Sequence, residues 1–188
     1  MINIILTKLA QDTKNALITA IRGAGEVRDV LQNTVKETVI KTLKGAGEVT
    51  ATATDVVTDA VNGALAAVSE TGGSVTTCAK DVVIGALKGA TEVGETVADS
   101  TRNAVGTAVK AVSQMGGDVS QAAVSAIEGA VEGAKEVGTD VVEATKEAVL
   151  AAVKAADEVG TEVGLKVRKA LLSAASLPKE VVKKVLEG

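Results

Sequence analysis

The sequence contains no histidine, phenylalanine, tyrosine or tryptophan, and it has one cysteine and one proline. Without an imidazole the chain cannot form a Ser-His-Asp triad, a Cys-His dyad or a histidine-containing zinc site. Without aromatic rings it cannot stack nucleobases or cage a quaternary ammonium group. We therefore predict that the protein is not an enzyme, with no catalytic residue, no metal, no cofactor and no small-molecule substrate.

Charge and the length of apolar runs exclude further classes. The 24 acidic and 20 basic residues give a net charge of −4, which opposes the phosphate neutralisation that drives nucleic-acid binding. The opening MINIILTKLA lacks a basic leader and a small-residue cleavage site. The longest uncharged stretch, between Asp59 and Glu70, has ten residues, about half of what a membrane-spanning helix needs. We read no signal peptide and no transmembrane segment, and the localisation stays open.

A repeat of 22 residues runs through the chain. The motifs GAGEV, GAGEV, AVSET, GATEV, AVSQM, GAKEV and AADEV begin at Gly23, Gly45, Ala67, Gly89, Ala111, Gly133 and Ala155. Each block consists of two 11-residue units, and the spacing never changes. We predict a single repeat region of eight blocks over residues 1–176, and a short C-terminal helix over 177–188 after a break near Pro178.

The apolar residues recur at three- and four-residue intervals, which predicts an all-α protein. On a helical wheel they cover nearly half of the cylinder, and this half is the predicted helix-packing face: Val49, Val61, Leu65, Val83, Leu87, Val93, Val97, Val105, Val119, Ile127, Val137, Val141, Val149 and Val163. Glycines on the same face predict close contact between helices: Gly72, Gly94, Gly116, Gly138 and Gly160. One flank of the face is basic and the other is acidic.

Two architectures fit this pattern. Eleven residues in three turns give 3.67 residues per turn, typical of a long amphipathic helix, or a few long helices, in near-straight or right-handed coiled-coil packing. The alternative is an antiparallel helical bundle with turns near Gly72–Gly73 and Gly116–Gly117, where Ser74 and Asp118 fit the N-cap position. The unbroken register favours the long helix, because loops tolerate insertions and a continuous helix does not.

Residues 129–160, GAVEGAKEVGTDVVEATKEAVLAAVKAADEVG, resemble the Val/Gly/Ala/Lys/Glu-rich repeats of synuclein. The 11-residue period is similar to that of perilipins, late embryogenesis abundant proteins and right-handed hendecad coiled coils. The sequence lacks the KTKEGV motif and the acidic tail of synucleins. The synuclein resemblance implies reversible binding to lipid surfaces, and the hendecad resemblance implies oligomeric rods.

We therefore expect a structural, self-assembling protein. Its helices would pack laterally through the wide Val/Ala/Gly face into a fibre, tube or multi-helix bundle, with the chain itself as partner in a higher-order homo-oligomer. A basic flank would meet the acidic flank of a parallel neighbour. The alternative is an amphipathic protein that binds a membrane or lipid-droplet surface. We expect no nucleic-acid partner.

Overall fold

A computed structural model of the chain describes residues 7–23, 26–45 and 52–188. These residues form helices and connecting turns. The nine helices of the described ranges are α1 (Lys8–Gly23), α2 (Val27–Lys44), α3 (Ala53–Glu70), α4 (Val75–Glu92), α5 (Val97–Gln114), α6 (Val119–Glu136), α7 (Val141–Val159), α8 (Thr161–Ser173) and α9 (Lys179–Glu187).

The 22-residue period is one helix plus one turn. Helices α3 to α6 have 18 residues each, and the four residues that follow each helix bring the total to 22. The prediction of an all-α protein is confirmed, and so are turns near Gly72 and Gly116. The long continuous helix and its right-handed coiled-coil packing are wrong, because the chain also turns at Gly94 and Gly138.

Each turn is fixed by hydrogen bonds on both sides. Gly72 has a φ of +79°, and the Gly73 N–H donates to the Val68 carbonyl at 2.8 Å, which closes helix α3. Two residues after Gly72, the Ser74 hydroxyl accepts from the Thr77 N–H at 3.3 Å and begins α4. The other three turns pair a left-handed glycine with an N-cap in the same way: Gly94 with Thr96, Gly116 with Asp118, and Gly138 with Asp140.

This double capping explains the constant register. An inserted residue would separate the left-handed glycine from the N-cap two residues later and break hydrogen bonds on one side of the turn. Loops of this kind do not tolerate insertions, so an unchanging period is compatible with short helices.

The helices form two layers. Each helix packs against its neighbours in sequence and against the helix two positions further on. The odd-numbered helices α1, α3, α5, α7 and α9 therefore form one layer, and α2, α4, α6 and α8 form the other. Because consecutive helices are antiparallel, helices within one layer are parallel. The result is a two-layer helical repeat array across the described residues.

The core between the layers consists of Val, Ala and a few Leu and Ile side chains. Seven residues of the predicted packing face are buried: Val61, Leu65, Val83, Leu87, Val105, Ile127 and Val149. Six others flank the turns and are half-buried: Val93, Val97, Val119, Val137, Val141 and Val163. Val49 lies outside the described residues. This face joins helices within one chain.

The predicted close-contact glycines need a correction. Gly72, Gly94, Gly116 and Gly138 lie in turns, and a Cβ on any of them would meet no atom within 4 Å. On Gly160 it would meet only Val163, at 3.8 Å. The close contacts are made by glycines inside helices, which include Gly63 of α3, Gly85 and Gly89 of α4, and Gly129 of α6. A Cβ on Gly85 would lie 2.5 Å from the Gln32 carbonyl oxygen, and one on Gly89 would lie 2.8 Å from that of Lys36.

Candidate functional site

Ion pairs connect successive helices within each layer. In the even layer, Lys80 and Lys88 of α4 pair with Glu132 and Glu136 of α6, each with an N–O distance of 2.6 Å. In every such pair the base lies on the earlier helix and the acid on the later one; the others are Lys14–Glu70, Arg28–Asp81, Lys36–Glu92, Arg102–Glu147 and Lys110–Glu158. Basic and acidic flanks of parallel helices thus meet within a single chain.

The charge-assisted hydrogen bonds shift the acid–base behaviour of these groups. The bond from Lys80 is the main reason that the pKa of Glu132 is lowered from its ordinary value of 4.5. Hydrogen bonding to Lys36 likewise lowers the pKa of Glu92. These carboxylates remain charged at neutral pH and hold the register of parallel neighbours.

Arg28 connects three helices of the even layer. Its Nε donates to Asp81 Oδ1 at 2.9 Å, and the Gln32 amide donates to the same oxygen at 2.8 Å. The Arg28 guanidinium also lies 3.7 Å from Glu132 on α6. The Asp81 side chain is only 8% exposed, so these two hydrogen bonds compensate the loss of its hydration. The arrangement stabilises packing and presents no free acid–base group.

Groups with other potential chemistry are few in the part of the chain that the structure describes. Burial raises the pKa of the half-buried Cys78 thiol, which therefore stays protonated at neutral pH. Residues 7–23, 26–45 and 52–188 contain no cluster of three His, Cys, Asp or Glu side chains suited to a metal ion. None of the described helices combines the length and the apolar character needed to cross a membrane.

Exposed apolar side chains are concentrated at one end of the array. Among the described residues, the large hydrophobic side chains that face solvent are Val27, Val142, Leu150, Val159, Leu165 and Leu172. All but Val27 belong to α7 and α8. Leu165 is 62% exposed and Leu172 is 47% exposed.

Among the described residues, one face of α2, near the N-terminal end, carries charged side chains by contrast. The eleventh and fifteenth residues of α4 and of α6 are glycines: Gly85 and Gly89 in α4, and Gly129 and Gly133 in α6. These glycines face the preceding even helix. In α2 the same positions hold Glu37 and Lys41, which are exposed and pair with each other at 3.5 Å. A preceding helix could not approach α2 as closely as α2 approaches α4.

The C-terminal end keeps a surface of the repeat without the helix that covers it. Ile84 of α4 is fully buried, and its Cα lies close to Gly133 of α6. The residues at the same register in the next even helices, at intervals of 44, are Glu128 in α6 and Leu172 in α8. Within the described residues no later even helix covers Leu172. Leu165 replaces the polar Thr77 and Gln121 of the earlier helices.

A second apolar surface lies between α7 and α9. The two helices enclose an open groove of about 510 Å³. Its lining combines apolar and charged side chains: Val142, Lys146, Leu150, Glu180, Val181, Lys184, Val185 and Gly188. Short helix α9, which follows Pro178, thus lies beside the first half of α7.

Sequence reasoning missed these end surfaces. A helical wheel averages over all repeats, so the single departure at Leu165 disappears in the average. The usable signal is a position where one repeat carries a large apolar residue and the others do not. Leu165 follows Asn33, Thr77 and Gln121 at intervals of 44 residues and is such a position.

Comparison with known proteins supports the architecture alone. No protein-family model and no curated protein matches the chain. Among solved structures, the chain is similar to the crystal structure of the de novo designed helical repeat protein DHR7, with a TM-score of 0.52 and 21% sequence identity over 95% of this chain and 93% of that chain. This likeness corrects the resemblance to synucleins and hendecad coiled coils: the chain is a helical repeat array of short antiparallel helices.

Proposed function

We propose that the protein is a structural helical repeat module that self-associates through the C-terminal end of the array. The observation that carries this proposal is the concentration of exposed large apolar residues in α7 and α8. Terminal repeats of soluble arrays normally present a polar outer face. An apolar terminal face therefore favours a partner.

The Val/Ala/Gly face is already used between the helices of one chain. Self-association through that face would compete with the fold itself, in which neighbouring helices are held at a high effective concentration. The surface that remains is the outer side of α8, where Leu172 occupies the register of the fully buried Ile84. We take a second copy of this surface as the partner.

The contrast between the two ends favours a closed dimer over a fibre. A fibre would require the N-terminal face of one copy to cover α8 of the next. That face has Glu37 and Lys41 at the positions where the internal helices have glycine. Like surfaces that meet about a two-fold axis avoid this mismatch and close after two copies.

The expected affinity is modest. Burial of the exposed parts of Leu165 (62%) and Leu172 (47%) from both copies contributes about 3–7 kcal/mol, since full burial of one such side chain contributes about 1.5–3 kcal/mol. Association costs about 4–15 kcal/mol in lost freedom. We therefore expect a dimer that dissociates on dilution.

Sedimentation equilibrium over a range of concentrations tests the proposal. We expect a concentration-dependent dimer for the wild type and a monomer for the double variant Leu165→Glu/Leu172→Glu. Val27→Glu is the matched control, since Val27 is 40% exposed but lies at the other end of the array; it should leave the dimer intact. Circular dichroism should show equal helicity for all three proteins.

A monomeric wild type at all concentrations, or a dimeric double variant, would contradict self-association through α8. Co-sedimentation with anionic vesicles that depends on Leu165 and Leu172 would instead favour the lipid-surface alternative.

A further inference from the structure

The groove between α7 and α9 has the size of a small-molecule site. Its volume is about 510 Å³, and small-molecule sites in proteins commonly measure about 300–1,000 Å³. One wall is formed by Val142, Lys146 and Leu150, which follow one another at four-residue intervals along a single face of α7. The other wall is formed by α9, and Val181 and Val185 supply its apolar part. The groove is therefore apolar on both sides.

The chain itself covers this apolar lining only in part. Val142 is 60% exposed and Leu150 is 46% exposed, although α9 packs beside them. Both valines of the α9 wall are half-buried. A ligand that fills the groove would remove the remaining apolar area from water, and an apolar portion of that ligand would gain affinity by doing so.

Two lysines of the groove lack the acidic partner that earlier contacts of the repeat supply. At the preceding contact of the odd layer, Arg102 Nη2 of α5 lies 2.9 Å from Glu147 Oε2 of α7. Lys146 is the sixth residue of α7, as Arg102 is of α5, but α9 brings Lys184 to the groove. Within the described residues neither lysine has a carboxylate at ion-pair distance, Glu180 of the same groove included. Two ammonium groups thus line an apolar groove without an acid to pair with.

We propose that the groove between α7 and α9 binds a single-chain amphiphile with an anionic head group, such as a fatty acid. Its carboxylate accepts hydrogen bonds from Lys146 and Lys184, and these charge-assisted bonds take the place of the missing acid. Its acyl chain packs on Val142, Leu150 and the apolar side of α9.

The combination of lysines and apolar side chains favours an amphiphile over simpler ligands. A neutral apolar molecule would leave both lysines unpaired, and a small inorganic anion would leave the apolar walls in water. The groove lies in the odd layer and is separate from the α8 surface through which we propose self-association.

Isothermal titration calorimetry of the full chain with dodecanoate, below its critical micelle concentration, tests the proposal. We expect saturable binding at a single site, with an affinity that falls as salt is added. Dodecyltrimethylammonium has a similar apolar chain and a positive head group. It should bind at least about tenfold more weakly, because it cannot accept hydrogen bonds from the two lysines.

Protein variants locate the site. Lys146→Glu/Lys184→Glu should weaken dodecanoate binding at least about tenfold, because the ligand then meets carboxylates in place of ammonium groups. Lys166→Glu/Lys169→Glu makes the same charge change on α8 and should leave the affinity unchanged. Glu180→Gln removes a carboxylate from the groove and should strengthen binding at least about twofold.

The monomeric Leu165→Glu/Leu172→Glu variant should bind dodecanoate as the wild type does, which separates this proposal from self-association. Circular dichroism should show equal helicity for all variants. Absence of saturable binding, equal binding of the cationic amphiphile, or an unchanged affinity in the Lys146→Glu/Lys184→Glu variant would overturn the proposal.

Discussion

The two ends of the array are built from the same repeat and differ in how they meet solvent. At the N-terminal end, Glu37 and Lys41 replace the two glycines that internal even helices use for close packing. At the C-terminal end, Leu172 stands where Ile84 is covered by the next helix. A few substitutions in the repeat therefore give the two ends of the described array different surfaces.

The largest expected change in stability comes from comparing two equivalent positions of the repeat, Ile84 in the interior and Leu172 at the C-terminal end. Ile84→Ala removes a fully buried side chain beneath α6 and should lower the free energy of unfolding by about 2–5 kcal/mol. Leu172→Ala, measured under monomeric conditions, should change it by less than about 0.5 kcal/mol. Urea unfolding followed by circular dichroism measures both. Equal losses would show that Leu172 is covered within the single chain.

The second contrast concerns the glycine positions. Gly85→Ala would place a Cβ 2.5 Å from the Gln32 carbonyl oxygen, and we expect a loss of about 1–3 kcal/mol from overpacking. Glu37→Ala, at the equivalent position of α2, should change stability by less than about 0.5 kcal/mol. The same urea titration gives both values. A neutral Gly85→Ala variant would contradict the close approach of α2 and α4.

The third contrast compares two threonines at the fifth residue of their helices. Both Thr101 and Thr145 are fully buried. Among the described residues the Thr101 hydroxyl has no hydrogen-bond partner, whereas the Thr145 hydroxyl donates to the Val141 carbonyl at 2.6 Å. Thr101→Val should raise the free energy of unfolding by about 1 kcal/mol, and Thr145→Val should lower it by a similar amount. Thermal unfolding of both variants measures these changes. Changes of the same sign in the free energy of unfolding would contradict this assignment.

The smallest expected effect concerns pH. Lys80 lowers the pKa of Glu132 from 4.5 in the folded chain, so this pair contributes stability above about pH 4.5 that is lost as the pH falls through the folded pKa. Glu132→Gln should reduce stability at pH 7 by at most about 1 kcal/mol, since the side chain is 38% exposed. As the pH falls through the folded pKa of Glu132, the stabilities of the variant and the wild type should converge. Glu37→Gln, in the exposed pair of α2, should cost about 0.5 kcal/mol or less at pH 7.

Much of the fold could be predicted from the sequence, and the turns show where the prediction failed. Gly72 and Gly116 were recognisable because a second glycine follows each of them. Gly94 and Gly138 follow valines on the apolar face, and this pattern by itself predicts a continuous helix. The better signal was the N-cap two residues after each of the four glycines, at Ser74, Thr96, Asp118 and Asp140.

The continuous helix also conflicts with energetics. Each interior glycine weakens a helix by about 1 kcal/mol, and a single long helix would leave its half-cylinder face in water. When the chain turns at every left-handed glycine, each of these glycines ends a helix and no longer destabilises a helix interior. The turns also bury the apolar half-cylinder face within the chain. The candidate surfaces could not be predicted in the same way. Leu165 and Leu172 are exposed because no described helix packs over them, and this arrangement cannot be read from a helical wheel.

The central claim is that copies meet through their C-terminal ends and leave the N-terminal ends apart. It is tested most directly by electron spin resonance distance measurement on a Cys78→Ala background. A spin label at Lys169→Cys on α8 should give a short, well-defined distance between copies that disappears in the Leu165→Glu/Leu172→Glu variant, and a label at Lys41→Cys on α2 should give none. A short distance between labels at position 41, or none between labels at position 169 at concentrations where sedimentation shows a dimer, would contradict the account.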